Sequence, residues 1–183
     1  RARAAILNAM EEVPHYPGPR REILIDQLAD LHGVAANQVV LGSGSTEVIR
    51  TAVHAHASSS SRILQADPTY ENAMRYAEPF QYRIEKVPLT SESAHDVERM
   101  RRLAEAWEEP TVVYICNPHN PTGTLTPSAQ LDDWFASASD NVFFIMDEAY
   151  YPFVDDASYW SAEKWANERS NVLITRTFSK LYG

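Results

Sequence analysis

Apolar residues recur along this chain at two spacings, and the spacings alternate. Ile23, Leu24, Leu28 and Leu31 fall on one face of a helix that stops at Gly33, and Val48, Ile49, Ala52 and Val53 do the same for a helix over 46–56. Further helical stretches are expected over 1–12, 70–77, 96–108, 127–137 and 161–169, the fourth with Pro127 at its start. Between them lie short runs with strand character: 39–41, 62–66, 81–87, 111–116, 142–146 and 172–178. Two of these, Val112 to Cys116 and Val142 to Met146, are continuously apolar, as strands buried on both faces are. Strands alternating with helices of about ten residues predict an α/β fold of three layers, α/β/α, around a mostly parallel sheet.

Composition narrows the function classes. The 183 residues are ordinary for one domain, and 44% hydrophobic residues suffice for a packed core. A single cysteine excludes a disulfide framework and a Cys-based zinc site. With 16 Lys+Arg against 25 Asp+Glu, a net charge of -9 and no dense basic block, nucleic acid and anionic membranes are disfavoured as partners. No apolar run approaches the roughly 20 residues of a membrane span. The first residues, Arg1 to Ala4, carry no secretory signal, so the expected compartment is the cytoplasm. Only three basic residues are lysines, Lys86, Lys164 and Lys180, so amine chemistry has three places to reside.

Open α/β sheets collect ligands beyond the carboxyl ends of their strands. The segments that follow the predicted strands are Gly42 to Glu47, Asp67 to Tyr70, Asn117 to Gly123, Asp147 to Tyr150 and Phe178 to Lys180. Each has a role if the ligand is an anionic aromatic aldehyde. Gly42 and Gly44 allow close backbone approach, and Ser45-Thr46 at a helix start offer hydroxyls, amides and the helix dipole to a phosphate. The same segment also reads as a plain turn with Thr46 as cap. Its glycine spacing matches neither a P-loop nor a dinucleotide fingerprint. Asp147 ends an apolar strand, where its charge needs a partner such as a protonated ring nitrogen, or it caps the next turn. Tyr150 could donate to a phenolate oxygen on such a ring. Lys180 is either the reactive amine or an exposed loop lysine. His54 and His56, two apart on a helix, point to different sides, which argues against a metal pair. Cys116 reads as a buried strand end, and Asp155-Asp156 as a solvated loop.

Taken in order, His15-Tyr16-Pro17, Gly44-Ser45-Thr46-Glu47, Asp67-Pro68-Thr69-Tyr70, Asn117-Pro118-His119-Asn120-Pro121-Thr122-Gly123, Asp147-Glu148-Ala149-Tyr150 and Thr177-Phe178-Ser179-Lys180 span nearly the whole chain. In these segments the chain resembles the large domain of the fold-type I aminotransferases that use pyridoxal phosphate (PLP), most of all the histidinol-phosphate aminotransferase group. The resemblance implies that Lys180 binds the cofactor aldehyde and shuttles the substrate proton. It implies that Asp147 pairs with the ring nitrogen and keeps the ring an electron sink. Asn120, held by a cis bond to Pro121, and Tyr150 would contact the ring oxygen, and Tyr70 would stack on the ring. Ser45, Thr46, Thr177 and Ser179 would bind the phosphate. Tyr16 would reach the phosphate of a neighbouring subunit in a homodimer. His119 stands where the group often has Asn, a change expected to be tolerated.

The same resemblance implies transamination between an amino acid or amino phosphate and a 2-oxo acid, of the kind used in histidine biosynthesis. A threonine-phosphate type decarboxylase shares every one of these motifs. The aminotransferase resemblance also divides the chain into an N-terminal helical segment with an inter-subunit loop, 1–38, and a PLP-binding large domain, 39–183. The resemblance stops at Gly183, ahead of the arginines that grip cofactor phosphate and substrate carboxylate and ahead of a small domain. The chain is therefore expected to be a fragment, catalytically silent by itself.

Overall fold

The computed structural model describes residues 2–182; Arg1, where the first predicted helix begins, and Gly183 lie outside the described residues. The chain forms two compact units, one extending to Leu41 and the other beginning at Gly42.

The first unit is helical. Helix α1, Ala2–Ala9, continues as a 3-10 turn over Met10–Glu12 and buries no residue. Helix α2, Arg20–His32, ends where Gly33 adopts φ 63 and ψ 35, the left-handed geometry that a glycine supplies without strain. Val39 is extended, at φ -105 and ψ 125, yet the strand expected over 39–41 does not form. Its backbone groups join no ladder, and extended dihedrals alone do not make a strand.

The second unit carries a five-stranded, wholly parallel sheet in the order β2-β1-β3-β4-β5. Its strands are β1 (Arg62–Asp67), β2 (Arg83–Pro88), β3 (Thr111–Cys116), β4 (Val142–Asp147) and β5 (Val172–Thr175). Helix α3 (Ser45–His56) precedes β1, and between the strands run α4 (Asn72–Ala77), α5 (Val97–Glu105), α6 (Ser128–Ser137) and α7 (Glu163–Glu168). The last strand is shorter than the expected 172–178: its ladder ends where Thr175 pairs with Asp147, the last residue of β4. Helix α4 starts at Asn72 rather than Tyr70, whose phenol is engaged with the Asn72 amide.

Alternation along β3 builds both faces of the sheet. Val112, Tyr114 and Cys116 join Ile49, Val53, Ala73 and Ala77 under α3 and α4. Val113 and Ile115 join Met100, Leu131, Trp134 and Phe135 under α5 and α6, with Trp165 of α7 packed alongside. Phe144 lies edge-on to Trp134 at 5.0 Å and to Phe135 at 4.9 Å, the T-shaped geometry that aromatic quadrupoles favour. Helix α5 begins on Asp96, whose carboxylate accepts the Arg99 N–H at 2.9 Å. The result is the three-layer α/β/α arrangement. Its strand order reverses between β1 and β3, which opens a crevice past their carboxyl ends.

Candidate active site

The crevice is walled on one side by the loop after β3. Asn117 is fully buried; its amide nitrogen donates to the Thr126 carbonyl at 2.9 Å, and its amide oxygen accepts the Thr126 N–H at 3.0 Å. Inside this clasp the Gly123 N–H donates to the His119 carbonyl at 2.8 Å, and the Asn117–Pro118 and Asn120–Pro121 bonds are cis. Half-buried Asn120 thus rides on a fixed turn, and it shares the lining of a cavity of about 440 Å³ with Tyr150, Phe153 and the exposed Asp155 and Asp156. The Cys116 thiol is buried, donates to the Pro118 carbonyl, and is pushed up to about 12 by burial, so it is no nucleophile.

Asp147 forms the floor. It is 1% exposed, and the register sets it beside Cys116 on β3 and Thr175 on β5. The Tyr114 hydroxyl donates to its Oδ2 at 2.8 Å, while the Ala149 N–H and the Thr175 hydroxyl each reach Oδ1 at 3.2 Å. Burial raises the pKa of this carboxyl above the ordinary value, and the three donors together with the Lys180 charge pull the other way. The Tyr114 phenol is pushed well up by burial and by the Asp147 charge, so it remains a donor. Asp147 therefore both caps the turn at Ala149 and keeps a buried carboxylate oriented at the strand end.

Lys180 is exposed, with Nζ 5.4 Å from the centre of the Tyr150 ring. The other two amines are engaged elsewhere: Lys86 pairs with Asp67 at 3.5 Å, and Lys164 lies 4.8 Å over the Trp165 ring. The hydroxyls of Thr177 and Ser179 are 2.8 Å apart, and the Ser179 N–H donates to Thr177 Oγ1 at 3.1 Å. Ser45 and Thr46 open α3 after Gly44, which takes φ 75 and ψ 173; no side chain caps this helix, so Thr46 is not its cap. Thr46 instead joins Tyr70 through Asn72, whose amide donates to the Tyr70 hydroxyl at 2.7 Å and to Thr46 Oγ1 at 3.1 Å. A Cβ on Gly42 would meet Val48 Cγ2 at 3.0 Å, a contact tight enough that the valine would have to shift. Tyr16 belongs to the first unit, where it is 97% exposed.

Several supporting residues were not singled out from sequence. Glu148 is fully buried and accepts from Arg176 at 2.8 Å, from Ser161 and the Ala162 N–H at 2.9 Å each, and from the Tyr159 hydroxyl at 3.2 Å. Arg176 also meets Glu163 at 2.8 Å; burial alone would lower its pKa, but the two carboxylates outweigh it and raise it. This pair ties the residue after Asp147 to the residue before Thr177. Tyr114, Thr175 and Asn72 were missed as well; a polar tip inside an otherwise aliphatic buried strand was the available signal for Tyr114. His54 packs against Phe80 and His56 stacks on Phe143 at 3.5 Å. Among the described residues no group of three ligating side chains could hold a metal, and no helix is long and apolar enough to cross a membrane.

An amine, a buried carboxylate, a phenol and paired hydroxyls on one rim invite comparison with known proteins. The sequence model of the family described as "Aminotransferase class I and II" matches residues 1–183. The histidinol-phosphate aminotransferase of Brevibacillus brevis is 32% identical over 183 residues, which is 100% of this chain and 50% of that protein. The crystal structure of a provisionally assigned histidinol-phosphate aminotransferase from Erwinia carotovora atroseptica SCRI1043 superposes with a TM-score of 0.96 at 34% identity, over 99% of this chain and 53% of that one. A histidinol-phosphate aminotransferase from Sinorhizobium meliloti, solved in complex with pyridoxal-5'-phosphate, shares the fold at a TM-score of 0.90 and 22% identity, over 98% and 48% of the two chains. The chain spans about half the length of the curated relatives it matches.

Proposed function

Because the chain belongs to the class I and II aminotransferase family, we propose that it forms the cofactor cradle of a PLP-dependent aminotransferase of the histidinol-phosphate type. The observation that carries this reading is the Asp147 carboxylate, 1% exposed at a strand end, held by three donors and within the field of the Lys180 amine. A buried carboxylate demands a cationic or hydrogen-bonding partner. The ring nitrogen of pyridoxal phosphate is such a partner, and the rest of the donor set fits the rest of the molecule.

When bound, the cofactor supplies an aldehyde and an electron-accepting ring. Asp147 holds positive charge at the ring nitrogen. Asn120 and Tyr150 donate toward the ring oxygen, and Tyr70, steadied by Asn72, packs on the ring face. The start of α3 offers Ser45, Thr46 and the positive end of its dipole to the phosphate, and Thr177 and Ser179 add two hydroxyls. Lys180 would hold the aldehyde, and its amine would move the proton at the substrate carbon. The substrates are a small amino compound, in this reading an amino phosphate, and a 2-oxo acid. The working form is a cytoplasmic homodimer in which Tyr16 reaches the phosphate bound by its neighbour. Residues 1–38 serve as the arm that delivers Tyr16, and 39–183 as the cofactor domain.

Borohydride reduction of the full-length protein with PLP, followed by peptide mapping, should place the label on Lys180. A label on Lys86 or Lys164 would overturn the assignment. Incubation with histidinol phosphate and 2-oxoglutarate should then yield glutamate, and release of carbon dioxide from an amino acid phosphate instead would replace the aminotransferase by a decarboxylase.

A further inference from the structure

The Tyr114 hydroxyl is one of the three donors that hold Asp147. Tyr114 sits mid-strand on β3, completely buried, with its ring among Ile49, Val53, Ile63 and Ile145. A phenylalanine would fill that apolar volume equally well. The single feature that calls for a phenol is Asp147, whose Oδ2 lies 2.8 Å from the hydroxyl. Burying a hydroxyl without a partner is costly, and a bond to an ionised acceptor returns more than a neutral one does.

The two oxygens of Asp147 are loaded unequally. Oδ1 accepts two hydrogen bonds, from the Ala149 N–H and the Thr175 hydroxyl. Oδ2 accepts from Tyr114 alone and keeps the larger unused capacity. Any further donor brought to this carboxylate therefore competes for the oxygen that Tyr114 already holds. We propose that Tyr114 is a positioning residue that sets the proton affinity of Asp147 and, through it, how firmly the carboxylate holds the proton on a cofactor ring nitrogen.

This inference rests on the cofactor reading above for its second half only. Its first half concerns two side chains of this chain. The groups facing the pair are few: Cys116 from β3, the Lys180 charge from the loop after β5, and Tyr70 beyond the Tyr114 ring. The phenol is the sole side-chain donor on Oδ2, so its removal should make the carboxylate more basic. A proton shared with a ring nitrogen then moves toward Asp147. Strengthening the phenol as a donor should do the reverse. Hydrogen bonds to ionised groups correspond to shifts of about one to two pK units.

The test compares full-length wild-type protein with Tyr114→Phe and with 3,5-difluorotyrosine placed at position 114. The difluoro side chain keeps the shape and is a stronger donor. In cofactor-free protein carrying 13C-labelled aspartate, the Asp147 carboxyl midpoint should rise by about one to two pK units in Tyr114→Phe and fall in the difluoro variant. With 15N-labelled pyridoxal phosphate, the ring nitrogen resonance should move toward the neutral-pyridine position in the first variant and away from it in the second. A purely structural role for Tyr114 would lower the melting temperature and leave both resonances in place, and that result would refute the proposal. Should Tyr114→Phe fail to fold, the difluoro variant decides alone by the sign of its shifts. Failure of the wild type to take up pyridoxal phosphate would overturn the cofactor reading, while the carboxyl titration would still decide the role of Tyr114.

Discussion

Acid should unfold this protein partly through one buried histidine behind the turn that carries Asn120. His95 is 4% exposed, its Nδ1 lies 2.8 Å from the Thr126 hydroxyl, and its Nε2 has no hydrogen-bond partner among the described residues. Its ring meets the edge of His119 at 4.6 Å, so a proton added to Nε2 would enter a site with no acceptor and a second imidazole beside it. Burial first, and the neighbouring His119 second, lower its pKa to about 3. An unfolded histidine titrates near 6.5. Between these values the unfolded chain binds the proton and the folded one does not, so stability is lost as the pH falls below about 6.5. Each unit of pH in that window costs about 1.4 kcal/mol, or about 3 kcal/mol between neutrality and pH ~4.5. Urea unfolding followed by tryptophan fluorescence at several pH values, on wild type and His95→Gln, measures this directly. The amide of Gln can still bond Thr126 but cannot titrate, so the variant should lose about 3 kcal/mol less over the same interval. Parallel losses in the two proteins would refute the reasoning, since every other acid-sensitive group is common to both.

Two further outcomes follow from the rim. Arg176→Met strands the fully buried Glu148 carboxylate with neutral donors only and should cost about 3–5 kcal/mol in chemical denaturation, with much of it regained in the Arg176→Met, Glu148→Gln double variant; a loss under about 1 kcal/mol would count against the pair as an anchor. Gly44→Ala introduces a Cβ that meets nothing within 4 Å, yet it forces φ 75 and ψ 173 on a non-glycine residue. It should therefore cost about 1–3 kcal/mol through backbone strain alone and weaken pyridoxal phosphate binding in a fluorescence titration.

Local pattern carried much of the fold and little of the bracing around the site. Strand β3 was readable to the residue, because six consecutive buried positions over Thr111–Cys116 admit little else. The placement of Asp147 at the inner end of β4 followed from the apolar run before it. Val39 to Leu41 misled, because whether extended backbone becomes a strand depends on a partner, and partners are not local. The same applies to the contacts that steady the rim. Tyr114 is 33 residues from Asp147 and Arg176 is 28 from Glu148, so neither pair has a spacing that periodicity can detect. What could be read was the chemistry at each strand end. What could not was the second set of side chains that turns those ends into fixed positions.

The sheet register gives those positions a property of its own. Cys116, Asp147 and Thr175 stand in one row across β3, β4 and β5. Neighbouring strands are separated by roughly 4.8 Å, an interval fixed by main-chain hydrogen bonds. The row is a ruler: a substitution can change what stands at a graduation, but it leaves the graduations where they are. A new specificity on this scaffold would therefore be reached by exchanging side chains at fixed intervals, and a ligand whose groups fall between the marks would have to be met from the loops.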